Sequence, residues 1–188
     1  MSVEEEIRED GDERERAAEV DARRRVALAQ IRQYPDAVLR LRANEVTEFD
    51  DNLARLAARM AHLMHEARGV GLAATQIGVL QRLFVFQATD DVEVRTVVNP
   101  RITARSSQTD VADEGCLSLQ GVLVPVERSL EVTLEGNDLE GEPLTLELEE
   151  HAARVVQHEL DHLDGVLMLE RTDGDARREA VAVLRRNL

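Results

Sequence analysis

The stretch EHAARVVQHELDHL, residues 150–163, has the pattern of a helix with candidate metal ligands on one face and apolar residues beside them. We expect the rest of the fold to pack around this helix. His158 and His162 are four residues apart, so on a helix their imidazoles project from the same side and can bind one ion. Glu159 lies beside them, close enough to take a proton from a water on that ion. Neighbouring positions are apolar and indicate burial: Val155, Val156 and Leu160. The pattern favours a metal site over two histidines on a solvated helix surface.

A third ligand is needed because a catalytic metal site usually takes three protein ligands and keeps one position for water. The segment EGCLS, residues 114–118, holds Cys116, the only thiol in the chain. A lone cysteine by itself is more often an inert buried residue. Beside a helix with two histidines, Cys116 becomes the best candidate for the third ligand. A thiolate and two imidazoles suit Fe(II), Zn or Co better than Mg or Ca.

A third segment, GVGLAATQIG at residues 69–78, is unusually small and uncharged. It contains three glycines and only one long polar side chain, Gln76. Gly69 can end a preceding helix, and the residues after it can form a buried strand. That structural role would not exclude a functional one, because small residues also let another backbone approach closely.

These three segments, in this order and at this spacing, resemble the signature motifs of the peptide deformylase family. The resemblance runs from about Ile31 to the C-terminus. It implies one compact α+β domain that removes the formyl group from the N-terminal formylmethionine of new polypeptides and releases formate. It also implies one divalent metal per chain, usually Fe(II), with Zn, Ni or Co in some members.

The resemblance assigns a role to each candidate residue. The metal ligands would be Cys116, His158 and His162, and Glu159 would be the general base. The side-chain amide of Gln76 and the backbone N–H of Leu117 would stabilise the oxyanion. Val70 and Gly71 would bind the substrate. The pair Arg128 and Asp161 would stabilise the helix that holds the two histidine ligands.

The sequence departs from the family pattern just after Cys116. Many members have a proline and then an arginine that helps to hold the peptide backbone, and Gln120 and Leu123 stand at those two places here. The departure concerns the affinity for substrate or the choice of peptide. It leaves the metal ligands, the base and the oxyanion donor intact.

The rest of the chain has the pattern of one α+β domain, with antiparallel strands packed around the helix of residues 150–163. Residues 49–69 predict an amphipathic helix that begins at Asp50 or Asp51. Five segments predict strands: 82–86, 94–100, 122–126, 130–136 and 143–148, with Asp90 and Asp91 in the first turn. VLMLE, residues 166–170, is expected to add a short strand, and a C-terminal helix capped by Asp175 follows.

Charge and composition limit the setting and the partners. The formal net charge of −15 argues against nonspecific binding to DNA or to a membrane surface. A single cysteine, no apolar run that could span a bilayer and no signal-peptide pattern favour the cytoplasm. Residues 1–25 are expected to form a mixed-charge extension, flexible or a solvated helix, before a catalytic domain at 26–188. Four arginines and one glutamate within residues 176–188 give a basic helix that could contact the ribosome.

Two alternative functions remain open from the sequence. A zinc peptidase of the H-E-x-x-H kind would need a third ligand after the helix, where Glu170 is the conceivable one because no histidine or cysteine follows His162. A non-catalytic protein that binds metal and peptide is the other alternative, and its support is the pair Gln120 and Leu123.

Overall fold

The computed structural model describes residues 3–89 and 92–186, with four α-helices and seven strands in those ranges. The helices are α1 (Val3–Leu28), α2 (Asp51–Glu66), α3 (Glu150–Leu163) and α4 (Gly174–Arg186). Three short 3-10 helices lie between them, at Ala37–Arg40, Ala74–Ile77 and Met168–Glu170.

The strands form two antiparallel sheets. The larger sheet has the order β1-β2-β3-β6-β7, and the smaller is the pair β4-β5. The bounds are β1 (Gly71–Ala73), β2 (Leu83–Phe86), β3 (Arg95–Arg105), β4 (Thr109–Glu114), β5 (Val124–Ser129), β6 (Glu131–Asn137) and β7 (Pro143–Glu149). Cys116 therefore lies in the connection between the two strands of the smaller sheet, whereas Gln76 follows the first strand of the larger one.

Helix α3 is the centre of the molecule because its apolar face packs on the larger sheet. Ala153, Val156 and Leu163 are fully buried there among side chains of three strands: Phe84, Phe86, Val97, Val132 and Leu134. Burial of an aliphatic side chain of this size contributes about 1.5–3 kcal/mol. The predicted α+β domain, with antiparallel strands around a central helix and a helix at the C-terminus, is confirmed.

Helix α2 has a clear beginning and end. The Asp50 carboxylate accepts hydrogen bonds from the backbone N–H groups of Asn52 and Leu53 and so caps the first turn. The buried face recurs at helical spacing and consists of Leu53, Ala57, Met60, Leu63 and Met64. After Ala67 the chain turns at Arg68, which adopts the left-handed conformation with φ 58°, and Gly69 leads into β1.

Some local predictions were wrong. Residues 168–170 of VLMLE form a 3-10 helix rather than a strand, because Met168 and Leu169 are buried in a third apolar cluster instead of joining a sheet. The cap of α4 is Asp173, which accepts from the backbone of Asp175 and Ala176, so Asp175 is not the cap. Strand β4 was not predicted, because its only apolar residues, Val111 and Ala112, are adjacent and do not give the alternation typical of a strand.

The structure does not test two other predictions. The turn predicted at Asp90 and Asp91 lies outside the described residues. Helix α1 runs across residue 25, and the division into an extension and a catalytic domain at that point stays a prediction. None of the described helices is both long enough and apolar enough to cross a bilayer.

Candidate active site

Three potential metal ligands from two separate segments meet next to α3. The Cys116 Sγ lies 3.2 Å from the His162 Nε2, and the ligand atoms of Cys116, His158 and His162 all lie within 4.8 Å of one another. His158 and His162 present the same face of α3 because they are one helical turn apart. Cys116 reaches them from the loop after β4. A soft sulfur and two imidazoles at this spacing fit a first-row divalent ion such as Fe(II) or Zn.

The ring of His158 is oriented by a carboxylate. The Glu114 Oε2 lies 2.9 Å from the His158 Nδ1, which leaves Nε2 as the nitrogen available to a metal. Burial by itself would raise the pKa of Glu114, but the hydrogen bonds from His158 and Arg128 outweigh burial and lower the pKa to about 2. Glu114 is therefore a carboxylate over the whole neutral range, and it favours His158 with its proton on Nδ1.

Arg128 joins this carboxylate to the ligand helix. Its guanidinium contacts both oxygens of Glu114 at 2.9 and 3.0 Å and the Oδ2 of Asp161 at 2.6 Å, and all three side chains are buried. Asp161 also accepts from Arg171, and Glu114 also accepts from Arg154. The result is a buried ionic network that connects β4, β5 and α3 behind the metal ligands.

Glu159 is buried against the backbone of β1. Burial raises the pKa of its carboxyl to about 7, with the positive charge of His158 acting in the opposite direction. Its Oε2 has no hydrogen-bond partner among the described residues. A Cβ placed on Gly71 would lie 2.7 Å from the Glu159 Cδ, so only glycine leaves room for this carboxyl group. Position 71 must therefore be glycine to make room for the Glu159 carboxyl group, a requirement that the sequence did not reveal.

Both the oxygen and the nitrogen of the Gln76 side-chain amide form hydrogen bonds. Its Oε1 accepts from the Ala73 backbone N–H at 2.9 Å, which fixes Nε2 as the donor side. Nε2 donates to the Ser118 Oγ at 3.1 Å and lies 3.6 Å from the Cys116 Sγ. One of its two N–H bonds is thus committed to Ser118, and the second points toward the metal ligands, where it makes only a weak contact with sulfur.

The Leu117 backbone N–H is a second donor close to the same point. Within residues 3–89 and 92–186 it has no hydrogen-bond acceptor, although the adjacent Ser118 N–H contacts the Cys116 Sγ at 3.4 Å. An open cleft of about 1170 Å³ leads to this group of residues. The residues that line it include Val70, Gly71, Leu117 and Leu123. Every predicted site residue except Asp161 and His162 lines or contacts this cleft.

Comparison with known proteins agrees with this arrangement. A family model described as "Polypeptide deformylase" matches residues 28–178, which is most of the chain and includes all the predicted site residues. The chain belongs to the polypeptide deformylase family. The peptide deformylase of Thermotoga sp. (strain RQ2) is 46% identical over 144 residues, which are 77% of this chain and 87% of that protein. That of Acidothermus cellulolyticus is 44% identical over 160 residues, 85% of this chain and 87% of that one.

Solved structures of the deformylase family share the fold. The crystal structure of the peptide deformylase from Thermotoga maritima matches with a TM-score of 0.74 and 45% identity, covering 76% of this chain and 96% of that one. The enzyme from Legionella pneumophila matches with a TM-score of 0.79 and 38% identity, covering 83% and 92%. This chain is therefore an enzyme of the deformylase family, as the sequence motifs predicted.

Family membership and geometry weigh against the two alternatives. The non-catalytic alternative is not supported, because the relatives are enzymes. The peptidase alternative required Glu170 as a ligand. Glu170 instead accepts from the Leu167 backbone N–H and pairs with Arg40 at 2.6 Å, away from the Cys116, His158 and His162 group.

Sequence reasoning missed three polar residues of this deformylase site. Glu114 stands two positions before Cys116, and its place in EGCLS was a usable signal, since a carboxylate commonly orients a metal-binding histidine. Ser118, in the same motif, is the acceptor for Gln76. Arg154 gave no signal, because its contact with Glu114 depends on how α3 meets β4. Gln120 and Leu123, where the sequence departs from the family pattern, are both exposed and line the cleft.

Proposed function

We propose that this chain removes the formyl group from the N-terminal formylmethionine of newly made polypeptides in the cytoplasm and releases formate. One observation carries the proposal. The thiol of Cys116, the imidazole of His158, the buried carboxyl of Glu159 and the amide of Gln76 line the same open cleft, and the imidazole of His162 lies beside Cys116. Hydrolysis of an amide needs a water activator, a proton carrier and an oxyanion donor, and this set contains a candidate for each.

Cys116, His158 and His162 would hold one divalent ion, for which Fe(II) is the first choice and Zn, Ni and Co are further candidates. When bound, the ion supplies a Lewis acid that makes water nucleophilic at neutral pH. The negative sulfur offsets part of the charge of the ion. Glu114 and Arg128 keep the ligand helix and the His158 ring in one orientation.

Glu159 is the proposed proton carrier. Its Oε2 is buried without a hydrogen-bond partner among the described residues, so it is available to accept a proton from the attacking water. A general base works best when its pKa lies near the operating pH, and the buried Glu159 has a raised pKa of about 7 in the metal-free chain. The same carboxyl group then returns the proton to the leaving amine. No covalent bond between enzyme and substrate is required.

Gln76 and the Leu117 backbone N–H are the proposed donors to the oxyanion. Attack on the formyl carbon builds negative charge on its oxygen, and donors that are already in place lower the barrier by about 3 kcal/mol each. Gln76 meets that requirement because Ala73 and Ser118 fix its amide. Val70 and Gly71 on the cleft wall are the proposed contacts for the backbone of the substrate.

Formate release from formyl-Met-Ala-Ser tests the proposed function. The chain is purified without oxygen, because a thiolate site that holds Fe(II) is readily oxidised. Its metal content is measured, and samples reloaded with Fe(II), Zn, Ni or Co are assayed in parallel. We expect about one ion per chain and catalytic formate release. A fully loaded protein that cleaves internal peptide bonds, or that binds the formyl peptide without turnover, would contradict the proposal.

A ribosome contact through α4 is a separate proposal. Arg177 and Arg178 already pair with Glu170 and Asp175, whereas the exposed Arg185 and Arg186 have no ion pair among the described residues. Deletion of α4 is a poor test, because Ala180 and Leu184 are buried in the core. Replacement of Arg185 and Arg186 by glutamine should instead reduce co-sedimentation with ribosomes. Unchanged co-sedimentation would count against the contact.

A further inference from the structure

Two arginines, Arg24 and Arg68, line the same cleft as Gly71 and the candidate metal ligands Cys116 and His158. Arg68 follows α2, three residues before Gly71, and Arg24 comes from α1. Both side chains line the cleft and both residues are exposed. Arg24 lies outside residues 28–178, the part of the chain that matches the deformylase family, so family membership assigns it no role.

The backbone and α1 hold the two arginines in place. Arg68 adopts φ 58°, and its turn is closed by hydrogen bonds from the Arg68 N–H to His65 O at 2.9 Å and from the Gly69 N–H to Met64 O at 2.8 Å. The Arg24 Nε donates to the carbonyl of Ala67 at 3.3 Å, directly beside Arg68. This bond stabilises the end of α2 and explains why Arg24 lies there, but it uses only one of the guanidinium nitrogens.

The remaining donors of the two side chains are free to bind a ligand. In the part of the chain that the structure describes, neither guanidinium forms an ion pair, and the terminal nitrogens of Arg24 have no acceptor. The neighbouring Arg23 differs, since it pairs with Glu19 at 2.5 Å. In a chain with a net charge of −15, two guanidinium groups that line one cleft without an ion pair among the described residues form a local positive surface.

The two other arginines that line the cleft, Arg128 and Arg154, are paired with a carboxylate. Leu123, which also lines the cleft, is apolar and 68% exposed. The acidic residues of the cleft are in part neutralised, because Asp110 pairs with Arg154 and Glu114 with Arg128. Asp113 and Glu150 also line the cleft, so a peptide that passed near them would bind better with a basic side chain than with an acidic one. The preferred charge of the peptide therefore indicates which of these residues it passes.

We infer that Arg24 and Arg68 select peptides with an acidic side chain shortly after the formylmethionine. The inference rests on the proposed function. Three extended residues span at most about 10 Å, so a substrate that runs from Gly71 toward Arg68 brings its second or third residue beyond the formyl group to these guanidiniums. A carboxylate is the group that arginine binds best, through paired charge-assisted hydrogen bonds. The contact is remote from the formyl carbon, so it affects KM rather than kcat.

The test compares three peptides that differ only at one side chain: formyl-Met-Ala-Glu-amide, its Gln counterpart and its Arg counterpart. The C-terminal amide removes the terminal carboxylate, so any preference reports the side chain. For the metal-loaded wild-type enzyme we expect the Glu peptide to exceed the Gln peptide about threefold to fivefold in kcat/KM, which is the range for an exposed ion pair. Formate release from the Gln peptide alone checks the proposed function, so the two can fail separately.

Variants assign the preference to the two side chains. Arg24→Gln and Arg68→Gln should each reduce the Glu-to-Gln ratio, and the double variant should bring it to about one through KM. Arg23→Gln is the matched control on the same helix and should keep the wild-type ratio. Arg68→Glu should reverse the preference toward the Arg peptide, a gain that misfolding does not produce.

The inference is overturned by an equal rate on all three peptides, by a wild-type preference for the Arg peptide, or by a ratio that the double variant leaves unchanged. Salt gives an independent readout. An exposed ion pair is screened, so the Glu preference should shrink as NaCl rises from about 20 mM to about 0.5 M. A preference that persists at high salt would point to another residue of the cleft.

Discussion

Gly71 and Glu159 constrain each other at the scale of single residues. The Glu159 carboxyl occupies the space where any larger residue at position 71 would place its Cβ. This contact buries the acid against β1 and, through burial, raises its pKa to about 7. The glycine that the family resemblance assigned to substrate binding therefore also sets the environment of the proposed base.

Glu159 and Cys116 can be distinguished by a pair of variants. Glu159→Gln removes the proton carrier but leaves the three ligands, so we expect an unchanged metal content and a decrease in kcat of about 10²- to 10⁴-fold. Cys116→Ser removes the sulfur, so we expect loss of bound metal together with activity. Metal analysis beside the formate assay checks both. A Cys116→Ser variant with a full complement of metal would show that Cys116 is not a ligand.

Some site residues could be predicted from the sequence and others could not, and the physical reason differs from residue to residue. His158 and His162 could be paired because helical spacing is a local property. Cys116 could be added only through its chemistry and the family resemblance, because the 41 residues between it and His158 carry no information on geometry. Ser118 and Arg154 contact the site through tertiary packing, and neither side chain has a spacing pattern that predicts its partner.

At the scale of elements, the buried network of Arg128 ties two strands to α3. Arg128→Met leaves the carboxylates of Glu114 and Asp161 partly unpaired in the interior, so we expect a loss of about 3–5 kcal/mol in the free energy of unfolding. The matched control is Arg171→Met, which breaks a contact with the same Asp161. The Arg171 side chain is 47% exposed, so its loss should cost less than about 1 kcal/mol.

Urea unfolding of both variants checks this order. Metal content is measured in parallel, because Glu114 also orients His158. Equal destabilisation by the two substitutions would mean that the protein does not depend on the buried part of the network.

Helix α2 provides a prediction that depends on pH. Hydrogen bonds from the backbone of Leu53, together with the Asn52 side chain, lower the pKa of the Asp50 cap. A lowered pKa in the folded state means that the cap stabilises the protein above the unfolded pKa of about 4 and loses this effect as pH falls through the folded pKa. Asp50→Ala should therefore lower Tm at pH 7, and the difference from wild type should shrink steadily below about pH 4.

Asp51→Ala is the control for that experiment. Asp51 is in the first turn, but its side chain makes no capping hydrogen bond. Its effect on Tm at pH 7 should be smaller than that of Asp50→Ala. An Asp50→Ala difference that stayed constant down to about pH 2 would mean that the cap does not act through its carboxylate.

The elements themselves were predictable to different degrees. The helices α2 and α3 have strong periodic apolar faces, so their positions followed from the sequence. Strand β4, with the sequence TDVADE, has almost no apolar pattern, and it is a strand because β5 supplies its hydrogen bonds. Residues 168–170 contain apolar residues that would suit a strand, but burial against Val126 and Leu184 gives them a 3-10 turn.

At the scale of the whole molecule, the candidate metal centre adds a second link, beside the Arg128 network, between the smaller sheet and α3. Cys116 lies in the connection between the two strands of the smaller sheet, and the histidines belong to the helix that packs on the five-stranded sheet. An ion bound by all three would therefore cross-link the two sheets in the folded state. The unfolded chain cannot hold the three ligands together, so binding adds to the free energy of unfolding.

Removal of the metal should consequently destabilise the whole domain and not only the active site. At a free ion concentration of about 1,000 times Kd, the bound ion contributes about 4 kcal/mol. For a chain of this size that corresponds to a decrease in Tm on the order of 10 °C after chelation. Calorimetry of the loaded enzyme, the chelated enzyme and the reloaded enzyme measures the effect.

Glu159→Gln, which keeps the ligands, should show the full shift in Tm, whereas Cys116→Ser should show little shift, because one end of the cross-link is missing. A loaded enzyme whose Tm does not change on chelation would show that the ion does not connect the two sheets.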